Sequence, residues 1–114
     1  MSPTQKSLRL LRELGYTAED VTAYGHPASA KWPRKKDVLG FADILAFRGV
    51  ELLAVNATDK TSVAKHKTKY TQLQTLHLWL ATGSGFAIHG WDPEADEEAR
   101  VVSAFLTDDG LMWG

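Results

Sequence analysis

Asp43 has the setting that most demands a chemical explanation. It interrupts the apolar run Ala42-Asp43-Ile44-Leu45-Ala46-Phe47. A carboxylate buried in an apolar strand is costly unless a cation or hydrogen bonds compensate it. Two readings compete. One is a strand-end acid that faces solvent or pairs with a nearby lysine. The other is a ligand for a hard cation, because Mg²⁺ is commonly held by one or two carboxylates together with substrate phosphate. Asn56 and Thr58 follow a second apolar run, Leu52 to Val55. In a hairpin turning at Arg48-Gly49 they come near Asp43 at the open end, where their oxygens could complete a cation shell. Equally, Asn and Thr are ordinary caps for the helix that follows.

That helix opens with Lys65, His66, Lys67 and Lys69. A lysine there can neutralise phosphate or orient an attacking water. Lys67 and Lys69 flank the helix's apolar face on opposite sides, and His66 lies at its centre, a common place for a core histidine. His77 reads as structural. His26 and His89 have no partner at metal-ligand spacing, which argues against zinc. The chain has no Gly-rich phosphate loop opening a helix and no G-x-S-x-G elbow. Its four tryptophans are too dispersed for a stacking platform.

These residues need elements to position them. Thr4 to Leu14 reads as an amphipathic helix with leucines at helical spacing, Pro3 in its first turn and Gly15 as its stop. A short strand is expected near Val21–Tyr24, followed by a loop broken by Gly25, Pro27 and Pro33. Ala42–Phe47 and Leu52–Val55 read as a β-hairpin that is apolar on both faces, hence buried inside a sheet. One long helix is expected over Ser62–Ala81, ended by Gly83 and Gly85. Strands at Phe86–Trp91 and Val101–Leu106 and a short polar tail complete the chain. The order implies a small mixed sheet flanked by helices, α/β or α+β in class.

With 114 residues, 44% of them hydrophobic and 24% charged, the chain fits one globular domain over 1–114. The absence of cysteine excludes disulfide frameworks, thiolate metal sites and a cysteine nucleophile. No apolar run reaches the roughly 20 residues of a membrane span, and the start lacks signal-peptide order, so a cytoplasmic protein is expected. The net charge of −1 hides an asymmetry. Residues 31–69 carry nine basic against four acidic side chains, and residues 92–114 carry one against seven. A basic middle suits a polyanion partner, or the two segments neutralise each other.

The run Arg34-Lys35-Lys36-Asp37-Val38-Leu39-Gly40-Phe41-Ala42-Asp43-Ile44-Leu45-Ala46 resembles the signature R-x-x-D-(L/V)-(F/L)-G-F-A-D-(I/L)-L-A. That signature marks small phage and bacterial proteins of the PD-(D/E)xK nuclease superfamily, near the Holliday-junction resolvases. Val55-Asn56-Ala57-Thr58, His66, Lys69-Tyr70 and Ile88-His89-Gly90-Trp91 are similar to later blocks of those proteins. The resemblance implies a restriction-endonuclease-like core: a mixed four- to five-stranded sheet flanked by helices, with a site at the end of a hairpin. There an Asp and a Glu or Gln hold Mg²⁺ and a Lys positions water. By that resemblance Asp43 takes the Asp position, Asn56 the Glu or Gln position and Thr58 the Lys position. The sequence departs from the active pattern at the last two. Lys69, or failing it Lys67, would supply the missing cation from the helix, and Glu13 an extra acid. Glu51 sits at the wrong end of its strand.

The implied function is a Mg²⁺- or Mn²⁺-dependent endonuclease acting on branched DNA as a homodimer. Lys31, Arg34, Lys35, Lys36 and His66 would contact DNA. Trp91 and Trp113 are candidates for an exposed dimer interface. The alternative is a catalytically inactive module of the same fold that binds nucleic acid or a protein through this surface. A third reading takes the acidic stretch Asp92 to Glu98 as a DNA mimic, against its being a solvated face.

Overall fold

The computed structural model describes residues 1–22, 37–94 and 98–114. Ser2 starts the first helix, α1 (Pro3–Glu13), through a capping box. Its Oγ accepts from the Gln5 amide, and the Gln5 side chain accepts from the Ser2 amide. The helix stops where Gly15 takes a φ of +91°. Leu11 is buried against Ala18, Ile44, Ala46 and Val55, so α1 covers one face of a sheet.

The sheet has six strands in sequence order: β1 (Thr17–Asp20), β2 (Ile44–Arg48), β3 (Glu51–Asp59), β4 (Gly85–Trp91), β5 (Arg100–Thr107) and β6 (Gly110–Trp113). All neighbours are antiparallel except β3 and β4, which run parallel and need a crossover. A single 3₁₀ turn, Lys60–Ser62, and two helices, α2 (Val63–Thr71) and α3 (Gln74–Ala81), make that crossover. They pack Val63, Tyr70 and Leu76 on the opposite face, over Phe41, Ala54, Phe86, Ile88, Val102 and Ala104. The result is a mixed α+β arrangement. Among the described residues no helix is long and apolar enough to cross a membrane.

The hairpin forms as its sequence requires, with Arg48 opposite Glu51 and Ile44 opposite Val55. Its base is covered on both faces, but its tip is not: Phe47, Val50 and Leu52 are exposed. Three expectations need correction. The first strand is Thr17–Asp20, not Val21–Tyr24. Its weakly strand-forming residues are held by pairing with β2 and by the buried Ala18, while residues 23 and 24 lie outside the described part. The expected long helix is two. Leu73 turns extended (φ −86°, ψ 109°) and packs into the core and over Gly40. His77 Nε2 donates to the carbonyl of Thr71 that the break leaves open. The tail is not loose: Gly110, at φ +111°, turns the chain into β6, and Trp113 packs edge-on against Phe86.

Trp91 is also corrected. It is buried, and its Nε1 donates to Ser7 Oγ at 2.8 Å, while Trp113 Nε1 donates to Thr71 Oγ1. The Trp91 indole is therefore not exposed, while that of Trp113 is half-buried. Ser7 Oγ also meets His89 Nδ1 at 2.9 Å, tying α1 to β4. Burial pushes the His89 imidazole down to about 4. The folded state therefore binds this proton less readily than the unfolded chain. The stabilisation is complete above pH 6.5 and is lost as pH falls toward 4, by about 3 kcal/mol in full. His89→Gln should flatten the stability profile between pH 6.5 and 4, so that the parent-minus-variant difference falls by about 3 kcal/mol over that range in urea unfolding; a difference that does not change with pH refutes this role.

Gly90 lies under the crossover, opposite Thr58 in the parallel register. A Cβ there would overlap the Val63 Cγ2 methyl and stand 3.2 Å from Lys60 Cα. Gly90→Ala should therefore lift the start of α2 and cost about 1–3 kcal/mol, the usual range for overpacking. Thermal unfolding at parental stability would contradict this close approach.

Candidate functional site

Val38 and Ala42 form an isolated antiparallel bridge that closes a tight loop through Leu39, Gly40 and Phe41. The loop needs two left-handed residues, Leu39 at φ +59° and Gly40 at φ +86°. Fully buried Phe41 anchors its tip. In that register the next pair outward is Asp37 opposite Asp43, with side chains on the same face. The two carboxyl groups accordingly hydrogen-bond to each other.

Asp43 is fixed by its backbone. Its amide donates to Val55 O and its carbonyl accepts from the Val21 amide, both at 2.9 Å, so it sits between β1 and β3 at the mouth of β2. Its Oδ2 accepts from the Ala57 amide at 2.8 Å and from Asn56 Nδ2 at 3.1 Å. Burial pushes its carboxyl up to about 8, helped by the hydrogen bond with Asp37 and the charges of Asp37 and Asp20, and opposed by the Ala57 amide. The upward shift favours the protonated form of Asp43. The Tyr70 hydroxyl is shifted upward, chiefly by burial and then by the charges of Asp37 and Asp43.

Asn56 is almost wholly buried and bridges two groups. Its amide faces Asp43, and its Oδ1 lies 2.7 Å from His66 Nδ1. His66 is half-buried, edge-on to Tyr70, and its imidazole is shifted downward by burial and then by the Lys69 charge. Lys69, exposed with its Nζ 5.6 Å from the Tyr70 ring centre, lies one turn beyond His66 on the same side of α2. Lys67 falls on the other side of that face. Thr58 points the same way from β3 as Asn56, two residues on, and its side chain makes no hydrogen bond among the described residues.

The sequence drew Asp43 and Asn56 together, with Lys69 reaching them from the helix and His66 read as a core or DNA-contacting residue; the fold links Asp43 to Asn56 and Asn56 to His66, with Lys69 against the neighbouring Tyr70 ring. It does not bring Glu13, which lies with Arg9 at the opposite end of the sheet. There the neighbouring Leu14 carbonyl accepts from Arg48, five residues and roughly 17 Å along β2 from Asp43. Asn56, the expected metal ligand, turns its carbonyl to His66, so that oxygen is already shared with the imidazole. Lys31, Arg34, Lys35 and Lys36 lie outside the described residues. Asp37 was missed as a site residue, although its six-residue spacing to Asp43, centred on Gly40, marks a loop closing on itself. Asp20 is a third acidic side chain nearby, but it keeps its carboxylate on Thr22.

Among the described residues no group of three or more histidine or acidic side chains is placed to hold a metal ion. The donor set that fits one is the Asp37–Asp43 pair. Two facing hard oxygen donors are the type of ligand Mg²⁺ or Mn²⁺ takes, the remaining positions being filled by water. No family model matches this chain, and neither a curated protein nor a solved structure is similar to it.

A buried acid raised this far opposes folding. Stability is full below the unfolded value near 3.8 and declines as pH rises toward 8, because the folded state clings to a proton the unfolded chain releases. In Asp43→Asn an amide can donate to Asp37 in place of that proton, and its oxygen keeps both present donors. This variant should match the parent near pH 4 and exceed it at pH 8, by on the order of 2 kcal/mol. Equal or lower stability at pH 8 would show that Asp43 is not held neutral.

Proposed function

We propose that this protein is a divalent-cation-dependent endonuclease acting on branched DNA, a Holliday-junction-resolvase-like member of the PD-(D/E)xK superfamily with a restriction-endonuclease-like core. The observation that carries the reading is the register that opposes Asp37 and Asp43. It supplies from the preceding loop the second carboxylate that Asn56 withholds from β3. The position of the pair supports it further, at the open end of a hairpin in a helix-flanked mixed sheet.

Asp37 and Asp43 would hold Mg²⁺ or Mn²⁺ in place of the Asp43 proton. Such an ion, when bound, polarises the scissile phosphate and acidifies a bound water. Asn56 and the Ala57 amide keep the Asp43 carboxylate aimed. Lys69 offsets charge that develops on the phosphate, the task Thr58 cannot perform. Lys31, Arg34, Lys35 and Lys36 would add sequence-independent phosphate contacts that weaken as salt rises. A chain this small holds one strand of a junction, so a symmetric dimer would engage both. Because proton and cation compete for Asp43, the cation requirement should fall as pH rises toward 8.

The second reading, an inactive module binding nucleic acid or a protein, is favoured by Thr58 at the lysine position and by the engaged Asn56 carbonyl. A cleavage assay on labelled four-way junction, duplex and single-stranded DNA decides between them, in Mg²⁺, Mn²⁺ or EDTA. The endonuclease should cut the junction with either metal and not in EDTA. Asp43→Asn should bind the junction as the parent does and cut it at least 10³-fold more slowly, with Lys69→Ala falling in between. A gel shift without cutting in any metal would instead establish the inactive module.

A further inference from the structure

The buried chain Asp43–Asn56–His66 has a direction. Asp43 Oδ2 accepts from both the Ala57 amide and Asn56 Nδ2, and this fixes which end of the Asn56 amide faces His66. The end that does so is the carbonyl, an acceptor only. His66 Nδ1, 2.7 Å away, must therefore carry the ring proton and donate it. That leaves the Nε2 lone pair on the opposite edge of a half-buried ring, and Nε2 has no hydrogen-bond partner among the described residues. Tyr70 packs against the ring at 83° and limits its rotation. An imidazole held at one nitrogen and open at the other is arranged to take up a proton.

We propose that His66 is the general base of this site, with Asn56 as the positioning residue that holds it in the Nδ1–H form. The proposal rests on the endonuclease reading and names the group that accepts the proton there. As water's oxygen bonds to phosphorus, one of its protons passes to Nε2. The ester P–O bond breaks, the departing oxygen is protonated from solvent, and His66 returns its proton to solvent afterwards. Water is the only co-reactant, and the products are the two hydrolysed ends. This role differs from that of the lysine ammonium, which Lys69 keeps.

The surrounding charges suit a base that is neutral in use. Burial and the Lys69 and Lys65 ammonium groups on the same helix lower the imidazole's proton affinity. Asp37 from the preceding loop and Asp59 from the end of β3 oppose them, and the Tyr70 ring closes one side. The balance is downward, so the neutral ring persists further into acid than a free imidazole does, and activity governed by it falls only on the acid side.

The test joins long-range ¹H–¹⁵N NMR of the metal-free protein with single-turnover cleavage of a four-way junction at saturating Mn²⁺ from pH 5 to 9. The expected spectrum shows His66 in the Nδ1–H tautomer, and Asn56→Ala should return the ring to a mixture. At saturating protein, His66→Gln should cut roughly 10²–10⁴-fold more slowly and lose the acid limb of the parent profile. If Asn56→Ala does not fold, the parent spectrum and His66→Gln still decide. A parent that cuts while its ring is in the Nε2–H form overturns the base and leaves the endonuclease standing. So does a His66→Gln variant that cuts within threefold of the parent with the same profile. A parent that cuts no DNA in either metal overturns the endonuclease and the base together.

Discussion

Everything at this site depends on one buried carboxyl group that cannot comfortably ionise. Asp43 is held on three sides by the sheet: its backbone joins β1 to β3, and one side-chain oxygen takes two hydrogen bonds from β3. Those bonds favour the charged form, yet burial and a facing acid outweigh them. Such a site is a poor choice for stability alone, because an apolar residue or an amide would satisfy the same strand. Strain of this kind gathers where a ligand relieves it. A divalent cation relieves both the burial and the like-charge contact at once.

The cluster is organised as two arms meeting at Asp43. One runs through Asp37 to Tyr70 and is rich in oxygen and negative potential. The other runs through Asn56 to His66, with Lys69 beyond, and carries neutral and positive groups. On the proposed endonuclease reading, a substrate phosphate between the arms would meet the cation on one side and a proton acceptor and an ammonium on the other. The amide at position 56 is what keeps the arms distinct. A carboxylate there would add charge to the first arm and draw a proton onto His66 in the second.

Much of this was legible in the sequence, for physical reasons that differ by residue. The hairpin declared itself because Ile44 to Phe47 and Leu52 to Val55 are apolar on both faces around a glycine turn. The first helix showed in its leucine spacing and its cap. Asp43 stood out because charge in such a strand needs an explanation. What stayed hidden was decided by tertiary contacts. Thr17–Asp20 has little strand propensity and exists as a strand through its partner. The break at Leu73 has no glycine or proline, and its cause is a core pocket beside Gly40 and a histidine that caps the severed end. Asp37 was overlooked because it lies in a basic, irregular stretch, and only the bridge between Val38 and Ala42 reveals it as the mirror of Asp43.

The tie between Ser7 and His89 has a consequence for the cost of assembling the molecule. The site's own links are short in sequence: Asn56 reaches Asp43 across 13 residues and His66 reaches Asn56 across 10. Ser7 must find His89 across 82. Closing the longer loop costs about 1.6 kcal/mol more than closing the 13-residue one. The links around the acidic mouth of the hairpin are the cheaper ones to close, and the docking of α1 onto β4 spans the longest loop of the three.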